Sequence, residues 1–442
     1  MAYMIVDLQR TVGGIKPLHG VNNGPVTYGS LVDVSDYYHK AGIPLVRLHD
    51  PNWPHPREVD VHIVFPDFEC DPDDPDSYDF SRTDEYIRTV LATGAKIVYR
   101  LGESIEHTAV KYHVHPPRDY DKWVRICLNI IRHYNEGWAN GFHHNIEYWE
   151  IWNEPDYSDK MWTGTHEQYY RLYEAAAPAI KKAFPHLKVG GPAAARPMLE
   201  FVTEFLAHCR DKQLPLDFFS WHTYTADPEV IARHALHVRE QLDRFGFDKT
   251  ESHLNEWNYL PADFAKIWLK GNEYMRRDVF ERQKSAEGAA FVGAVLSKLH
   301  DLPVDAANYY DGQPTALFCG LFDIYGVPQK AYRVFEAFRE LLDRPHRVAV
   351  EVSAGGNKVY GLAGKDDDGR ALVMISHFHP KAESYELVVR GVPAGARMKC
   401  AVSLLNDEHD WLPLGEHAVA DGERVRLDIP GYAVVLARIS AV

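Results

Sequence analysis

Tyr148-Trp-Glu-Ile-Trp-Asn-Glu-Pro-Asp156 is an apolar, aromatic run that stops abruptly at a glutamate followed by proline. The pattern returns further along as His253-Leu-Asn-Glu-Trp-Asn-Tyr259. Each reads as a buried strand ending in a carboxylate. Similar short apolar strands recur at 19–22, 45–49, 96–101, 146–153, 188–191, 218–222, 253–256 and 306–310, with helical patterns between them. Eight strand–helix repeats predict an α/β chain built on a (β/α)8 TIM barrel rather than an open doubly wound sheet. In a barrel the chemistry sits where the strands end, which is where both glutamates fall.

The helices have recognisable ends. Ser81-Arg-Thr-Asp84 has capping-box spacing, with Gly94 suited to the stop. Thr165-His-Glu-Gln168 repeats the device before a helix whose Leu172, Tyr173, Ala176, Ala177 and Ile180 share one face. Ala331, Val334, Phe335, Phe338, Leu341 and Leu342 make the last stripe. After Arg344-Pro345 the pattern changes to short alternating runs at 348–352, 358–362, 371–376, 385–390, 399–404 and 433–439. Turn signals separate them: Gly355-Gly-Asn357, Asp366-Asp-Asp-Gly369 and Asp421-Gly422. This predicts an accessory antiparallel β-sandwich. The expected division is 1–15 as a strand contributed to the sandwich, 16–342 as the barrel and 343–442 as the sandwich.

The chain's 442 residues, 45% hydrophobic and 25% charged, suit one barrel with a small companion. A net charge of −15 without a lysine–arginine cluster argues against nucleic acid or an anionic membrane as partner. No stretch approaches the apolar length of a membrane span. The first residues carry no basic segment followed by an apolar run, so a cytoplasmic location is expected. Cys70, Cys127, Cys209, Cys319 and Cys400 are dispersed without CxxC spacing, which fits reduced thiols. Neither GxxxxGK[ST] nor a strand–GxGxxG–helix unit occurs, and no cofactor is expected. Homo-oligomerisation stays open.

Two carboxylates at the ends of buried strands, with aromatic neighbours, suit glycoside hydrolysis. One must keep its proton until the leaving oxygen needs it, while the other stays ionised beneath the sugar. Glu154 and Glu256 are the candidates, with Asn153 before the first and Trp257 after the second. Trp53, Trp152, Trp162, Trp221 and Trp257 fall in or after strand ends, as do Tyr224, Tyr259, Tyr309 and Tyr310; grouped at the barrel mouth they would wall a sugar site. Glu103 and Glu106 follow the third strand and could face the same cleft. His113-Val-His115 and His143-His144 invite a metal reading, but the first lies in a loop before Pro116-Pro117 and the second at the wrong end of the barrel. They read as surface histidines, and no metal is expected. Asp71-Pro-Asp-Asp-Pro-Asp76 lacks the spacing and turn glycine of an EF-hand. Two contrasting classes remain: a metal-dependent barrel hydrolase, which chelators would inhibit, and an inactive carbohydrate-binding barrel, which altered carboxylates would signal.

Several segments together resemble glycoside hydrolase family 39, part of a clan of (β/α)8 retaining glycosidases. They are Tyr78-Asp-Phe80, Pro116-Pro-Arg-Asp-Tyr-Asp-Lys-Trp123, Trp149-Glu-Ile-Trp-Asn-Glu-Pro155, Trp162-Thr-Gly-Thr165, residues 169–173, Val189-Gly-Gly-Pro192, Ser220-Trp-His-Thr-Tyr224 and Tyr325-Gly-Val-Pro-Gln-Lys-Ala-Tyr332. The resemblance implies that Glu154 is the general acid/base and Glu256 the nucleophile, at barrel strands four and seven. It implies that Asn153 contacts the sugar's 2-hydroxyl, that His222 and Tyr224 lie beside the reacting sugar, and that Arg47 and His49 are polar groups at the second strand end. An arginine near the nucleophile would hold its pKa down. Family members act on β-xylosides, β-glucosides, β-galactosides, iduronides and some arabinose-containing or exopolysaccharide substrates. The expectation for this chain is an exo-acting enzyme on short oligosaccharides, β-xylosidase first and α-L-arabinofuranosidase second. Two departures stand out: Tyr309-Tyr310 where many relatives carry Tyr-Trp, and Asn255-Glu256-Trp257 where relatives more often show Thr-Glu-Phe.

Overall fold

The computed structural model describes residues 2–26, 32–51, 58–157, 160–315, 320–353 and 358–442. After β1 (Ala2–Gly14), which belongs to a second sheet, eight strands close a barrel. They are β2 (Gly20–Asn22), β3 (Leu45–Leu48), β4 (Lys96–Leu101), β5 (Tyr148–Ile151), β6 (Lys188–Ala194), β7 (Phe218–Thr225), β8 (Glu251–Tyr259) and β9 (Ala306–Tyr309). Each pairs in parallel with the next, and β9 pairs in parallel with β2. All eight coincide with strands expected from the apolar runs. Glu154 follows the fourth barrel strand, β5, and Glu256 lies in the seventh, β8.

The helices pack apolar stripes against this barrel. Helix His166–Ala183 begins with the expected capping box: Gln168 N–H donates to Thr165 Oγ1 and Thr165 N–H to Gln168 Oε1. The other box does not form. Ser81 is already the first helical residue of Ser81–Ala92, and Asp79 accepts its N–H at 3.0 Å. Among the described residues no helix is long and apolar enough to cross a membrane.

The second sheet contains β1, β10 (His346–Ser353), β11 (Val359–Lys365), β12 (Ala371–His377), β13 (Glu383–Arg390), β14 (Met398–Leu405), β15 (Leu412–Val419), β16 (Arg424–Ile429) and β17 (Ala433–Ala441). Their order is β15-β14-β17-β12-β11-β10-β1-β13-β16. Pairing is antiparallel except between β1 and β13, which run parallel. The sheet curls around its own core, so that Val419 near one edge and Val425 and Leu427 at the other share a cluster with Met4 and Val6 of β1. The alternating runs do not disclose β15, which is exposed until Val419, nor β16, whose buried Val425, Leu427 and Ile429 are interleaved with Arg and Asp. The glycine turn expected at 355–357 lies outside the described residues.

Period-two alternation explains why β12 and β17 look apolar throughout. Val373, Ile375, Val435 and Ala437 point into the sheet's own core. Leu372, Met374, Val434 and Leu436 point the other way and join the barrel core. Between sheet and barrel lies helix Ala286–Leu299, buried at all but Lys298. A helix covered on both sides is apolar all round. At Gly293 the sheet comes so near that an added Cβ would stand 3.2 Å from the Ser376 Cβ.

Candidate active site

The acid-bearing turn begins where β5 ends. Trp152 (φ 69°) and Glu154 (φ 47°) both adopt left-handed backbone, unusual for non-glycine residues and typical of functional turns. Trp152 N–H donates to Leu101 O (2.7 Å) and Glu154 N–H to Ala193 O (3.1 Å), tying the turn to β4 and β6. Asn153 and Glu154 are thereby brought to the same mouth of the barrel.

Glu256 reaches that mouth through an irregularity. The β7–β8 register passes from Trp221 opposite Leu254 to His222 opposite Glu256, leaving Asn255 as an extra residue. Such a bulge re-aims side chains. Consecutive Asn255 and Glu256 can then both serve the barrel interior: Asn255 Nδ2 donates to Glu150, while Glu256 meets Arg47 and Tyr224. Regular alternation on β7 presents His222 and Tyr224 to the same place.

The polar groups form one connected set. Arg47 Nη1 donates to Glu256 Oε1 (3.2 Å) and to Asn22 Oδ1 (3.0 Å), and Nη2 to Asn153 Oδ1 (2.5 Å). Tyr224 donates its hydroxyl to Glu256 Oε2 at 2.8 Å. His222 Nδ1 lies 2.7 Å from Glu154 Oε1 and 3.4 Å from Glu256 Oε2. Oxygens of the two carboxylates and the imidazole nitrogen all fall within 4.8 Å of one another. His49 sits behind, between Asp50 Oδ2 (3.1 Å) and the Arg100 Nε that donates to its Nδ1 (3.1 Å).

Burial dominates the electrostatics. It pushes the Glu154 carboxyl up to about 8, helped by the negative charges of Asp156 and Asp50 and opposed by Arg47 and Arg196. Burial also raises Glu256, to about 7; the Glu154 charge adds to this, while His222, Arg47 and the Tyr224 hydroxyl oppose it. The expectation that Arg47 would hold this carboxyl low is therefore corrected: its pull is present, but desolvation outweighs it. Burial lowers His222 and takes His49 down to about 4, so both rings are neutral near pH 7. The site holds two carboxyls that burial raises toward neutrality, with a neutral imidazole against both.

Residues 58–376 match the family described as Glycosyl hydrolases family 39. The chain belongs to that family. It is 25% identical over 362 residues to a β-xylosidase of Caldicellulosiruptor saccharolyticus, covering 77% of this chain and 70% of that one. A β-xylosidase of Geobacillus stearothermophilus is 27% identical over 319 residues, 63% of this chain and 60% of the relative's length. Among solved structures, a glucosidase from Croceicoccus marinus superposes with a TM-score of 0.81 at 26% identity, covering 100% of this chain and 99% of the other. A monomeric β-xylosidase from Caulobacter crescentus shares the fold, with a TM-score of 0.73, 19% identity and 100% coverage of both chains. Family 39 membership makes the chain a glycosidase of the TIM-barrel type.

Of the residues expected at the family 39 site, Arg47, His49, Asn153, Glu154, His222, Tyr224 and Glu256 lie in or directly behind the constellation. The aromatic wall is corrected at Trp152, Trp162, Trp221, Trp257, Tyr259 and Tyr309, whereas Tyr224 stands at the site as expected. Trp257 and Tyr309 are fully buried and face the helix layer, where Trp257 lies 5.3 Å edge-on to Tyr309 and Tyr309 5.6 Å from Phe335. Alternation is the reason: once Glu256 points inward, Trp257 points out to the helices. Trp152, Trp162 and Trp221 are buried likewise, their indole N–H groups donating to Met161 O, Thr165 O and Ser252 Oγ. Tyr259 also points to the helices, donating its hydroxyl to Glu287. Tyr310 belongs to an apolar cluster with Leu260, Ile267, Val279 and Phe280, against which Tyr224 packs. Trp53 lies outside the described residues. Trp257→Ala should therefore cost stability, about 3–5 kcal/mol in a urea melt, with KM unchanged; a raised KM with an unmoved melt would restore the sugar-stacking role.

Glu103 does not open into the cleft but pairs with His62, whose ring stacks on that of His113 at 3.5 Å. Asp60 completes that cluster and is tied to Arg100 and Ser104. Glu106 accepts the N–H groups of Tyr112 and His113 in its own loop. At the surface His115 bonds to Thr163 and Lys111 of neighbouring loops, and His143 to Asn135 O at the end of helix Tyr120–Asn135. Sequence reasoning missed Asn22, Asp50, Glu150 and Asn255. Glu150 carried a signal, an acidic residue inside an otherwise apolar strand; Asn22 and Asp50 at strand ends and Asn255 within β8 carried none that sets them apart.

Proposed function

We propose that the chain is a retaining, exo-acting β-glycosidase for short oligosaccharides, β-xylosidase-like, in which Glu154 is the acid/base and Glu256 the nucleophile. The observation that carries this reading is the approach of the two carboxylates, one oxygen of Glu154 lying within 4.8 Å of one oxygen of Glu256. Retaining glycosidases hold their carboxyl groups about 5–5.5 Å apart, whereas inverting ones leave roughly 6.5–9.5 Å for a water. In the first step Glu154 protonates the glycosidic oxygen and Glu256 attacks the anomeric carbon. In the second, Glu154 takes a proton from water, which displaces Glu256 and releases the sugar. Arg47 steadies Glu256, and Asn153, held by Arg47, is placed to bond the 2-hydroxyl.

Exo action is supported by how little of the carboxylates is open, 16% for the Glu154 side chain and 8% for Glu256. A recessed site accepts a chain end more readily than a chain middle. The names of the two β-xylosidase relatives support the sugar. A β-glucosidase reading is second, favoured by the whole-chain likeness to the Croceicoccus marinus glucosidase. The proposal includes a cytoplasmic location, supported by free thiols at Cys70, Cys127, Cys209 and Cys400. It also divides the chain into 1–15 and 343–442 as one accessory unit and 16–342 as the catalytic one.

Turnover of aryl β-xyloside and β-glucoside followed by proton NMR tests the mechanism. The first sugar released should be the β-anomer, before mutarotation. Appearance of the α-anomer first would establish inversion and remove Glu256 as a nucleophile.

A further inference from the structure

Beneath the two carboxylates the barrel interior holds a third that touches neither. Glu150, on β5, is fully buried. Its Oε2 accepts from Arg47 Nε at 2.7 Å and lies 2.7 Å from Nη2, while Oε1 accepts from Asn255 Nδ2. A guanidinium gripped along one edge has its remaining N–H directions set by the planar fork. Those directions run to Glu256 and Asn153.

We propose that Glu150 is a positioning residue for the glycosidase reaction, aiming Arg47 at the nucleophile and at Asn153 and cancelling the arginine's charge beneath the carboxylate pair. The proposal rests on the reading of Glu154 and Glu256 given above. A bare guanidinium 3.2 Å from Glu256 would hold that carboxyl well down. Instead burial keeps Glu256 at about 7 and Glu154 at about 8, the range a shared proton needs near neutrality. Burial opposes the charge on Glu150 itself, yet Arg47 from β3 and Ser220 and His222 from β7 hold it below the ordinary carboxylate range. Glu256 additionally faces Tyr224 and Asp311, and Glu154 faces Asp156, Asp50 and Arg196; a change at Glu150 leaves all of these in place.

Glu150→Gln keeps an oxygen for Arg47 and removes the charge. The released positive potential favours ionisation of both carboxyls above. Both limbs of the bell-shaped kcat/KM–pH profile should then move together to lower pH, by about one unit. The loosened guanidinium should also cost kcat about 10²-fold. Circular dichroism confirms the fold of the variant. A folded Glu150→Gln protein whose limbs stay in place overturns the proposal, however far its rate falls.

Carboxyl-carbon NMR titration of the wild-type protein is an independent reading that survives a variant too unstable to fold. Glu150 should stay ionised from about pH 5 to 9, while the upper pair titrates; titration of Glu150 inside that window overturns the idea. Wild-type turnover of aryl glycosides is measured in parallel. A wild type inactive on every sugar defeats the functional reading, whereas an active wild type with an unmoved Glu150→Gln profile defeats only the role of Glu150.

Discussion

Glu256→Gln should leave no measurable turnover of any glycoside, activated or natural. The amide has the shape of the carboxylate: its oxygen can accept from Arg47, and its NH2 can donate to the Tyr224 hydroxyl oxygen in place of the bond Tyr224 gave the second carboxylate oxygen. What it lacks is an electron pair able to form a glycosyl ester, so the reaction is stopped before its first intermediate. Loss of the nucleophile in covalent hydrolysis costs on the order of 10⁶-fold in kcat. The fold should survive, because a buried ionisable group gives way to a neutral isostere. Initial rates on a dinitrophenyl glycoside, with a melting curve beside them, decide the matter. A rate within tenfold of wild type would move the nucleophile elsewhere and dissolve the proposed mechanism. Binding of the intact substrate should persist in the same protein, since Asn153 and His222 are untouched.

How much of this was legible in the residues depends on which periodicity carried the information. The eight barrel strands were readable because each is a short apolar run bounded by helix signals, and parallel strands buried on both faces look like that. Glu154 was readable because an apolar strand that ends in Asn-Glu-Pro has no packing reason to stop there. Glu256 was readable as a residue but not as a geometry. Its inward aim depends on the bulge at Asn255, and a register shift between strands distant in sequence leaves no local trace. The same blindness misplaced Trp257 and Tyr309: aromatic residues beside a candidate nucleophile look like sugar platforms, while alternation sends them to the helix layer. The left-handed turn at Trp152 and Glu154 was equally hidden, because neither residue advertises positive φ as glycine would. Arg47 shows the limit from the electrostatic side. A cation beside a carboxylate could be foreseen, but the depth of burial that outweighs it could not.

Glu154→Gln should divide substrates by leaving group. A dinitrophenolate departs with little protonation, so formation of the glycosyl-enzyme should remain close to wild type. A xylobioside or any unactivated disaccharide needs the proton that Glu154 holds at about 8, and its cleavage should fall by about 10²–10⁴-fold. The second step loses its general base whichever substrate is used. On the activated glycoside the enzyme should therefore give a burst of phenolate and then stall, with the sugar held on Glu256. Azide needs no base to attack, and 2.7 Å from His222 the substituted side chain no longer repels an anion as a carboxylate would. Added azide should restore turnover and yield the glycosyl azide with the configuration of the substrate. Mass spectrometry of the stalled enzyme and NMR of the azide product check both halves. If Glu256→Gln is instead the variant that azide restores with retained configuration, the two roles are exchanged. If Glu154→Gln slows activated and natural glycosides equally, with no burst, then Glu154 is not the proton donor, and the short distance between the carboxylates has another purpose.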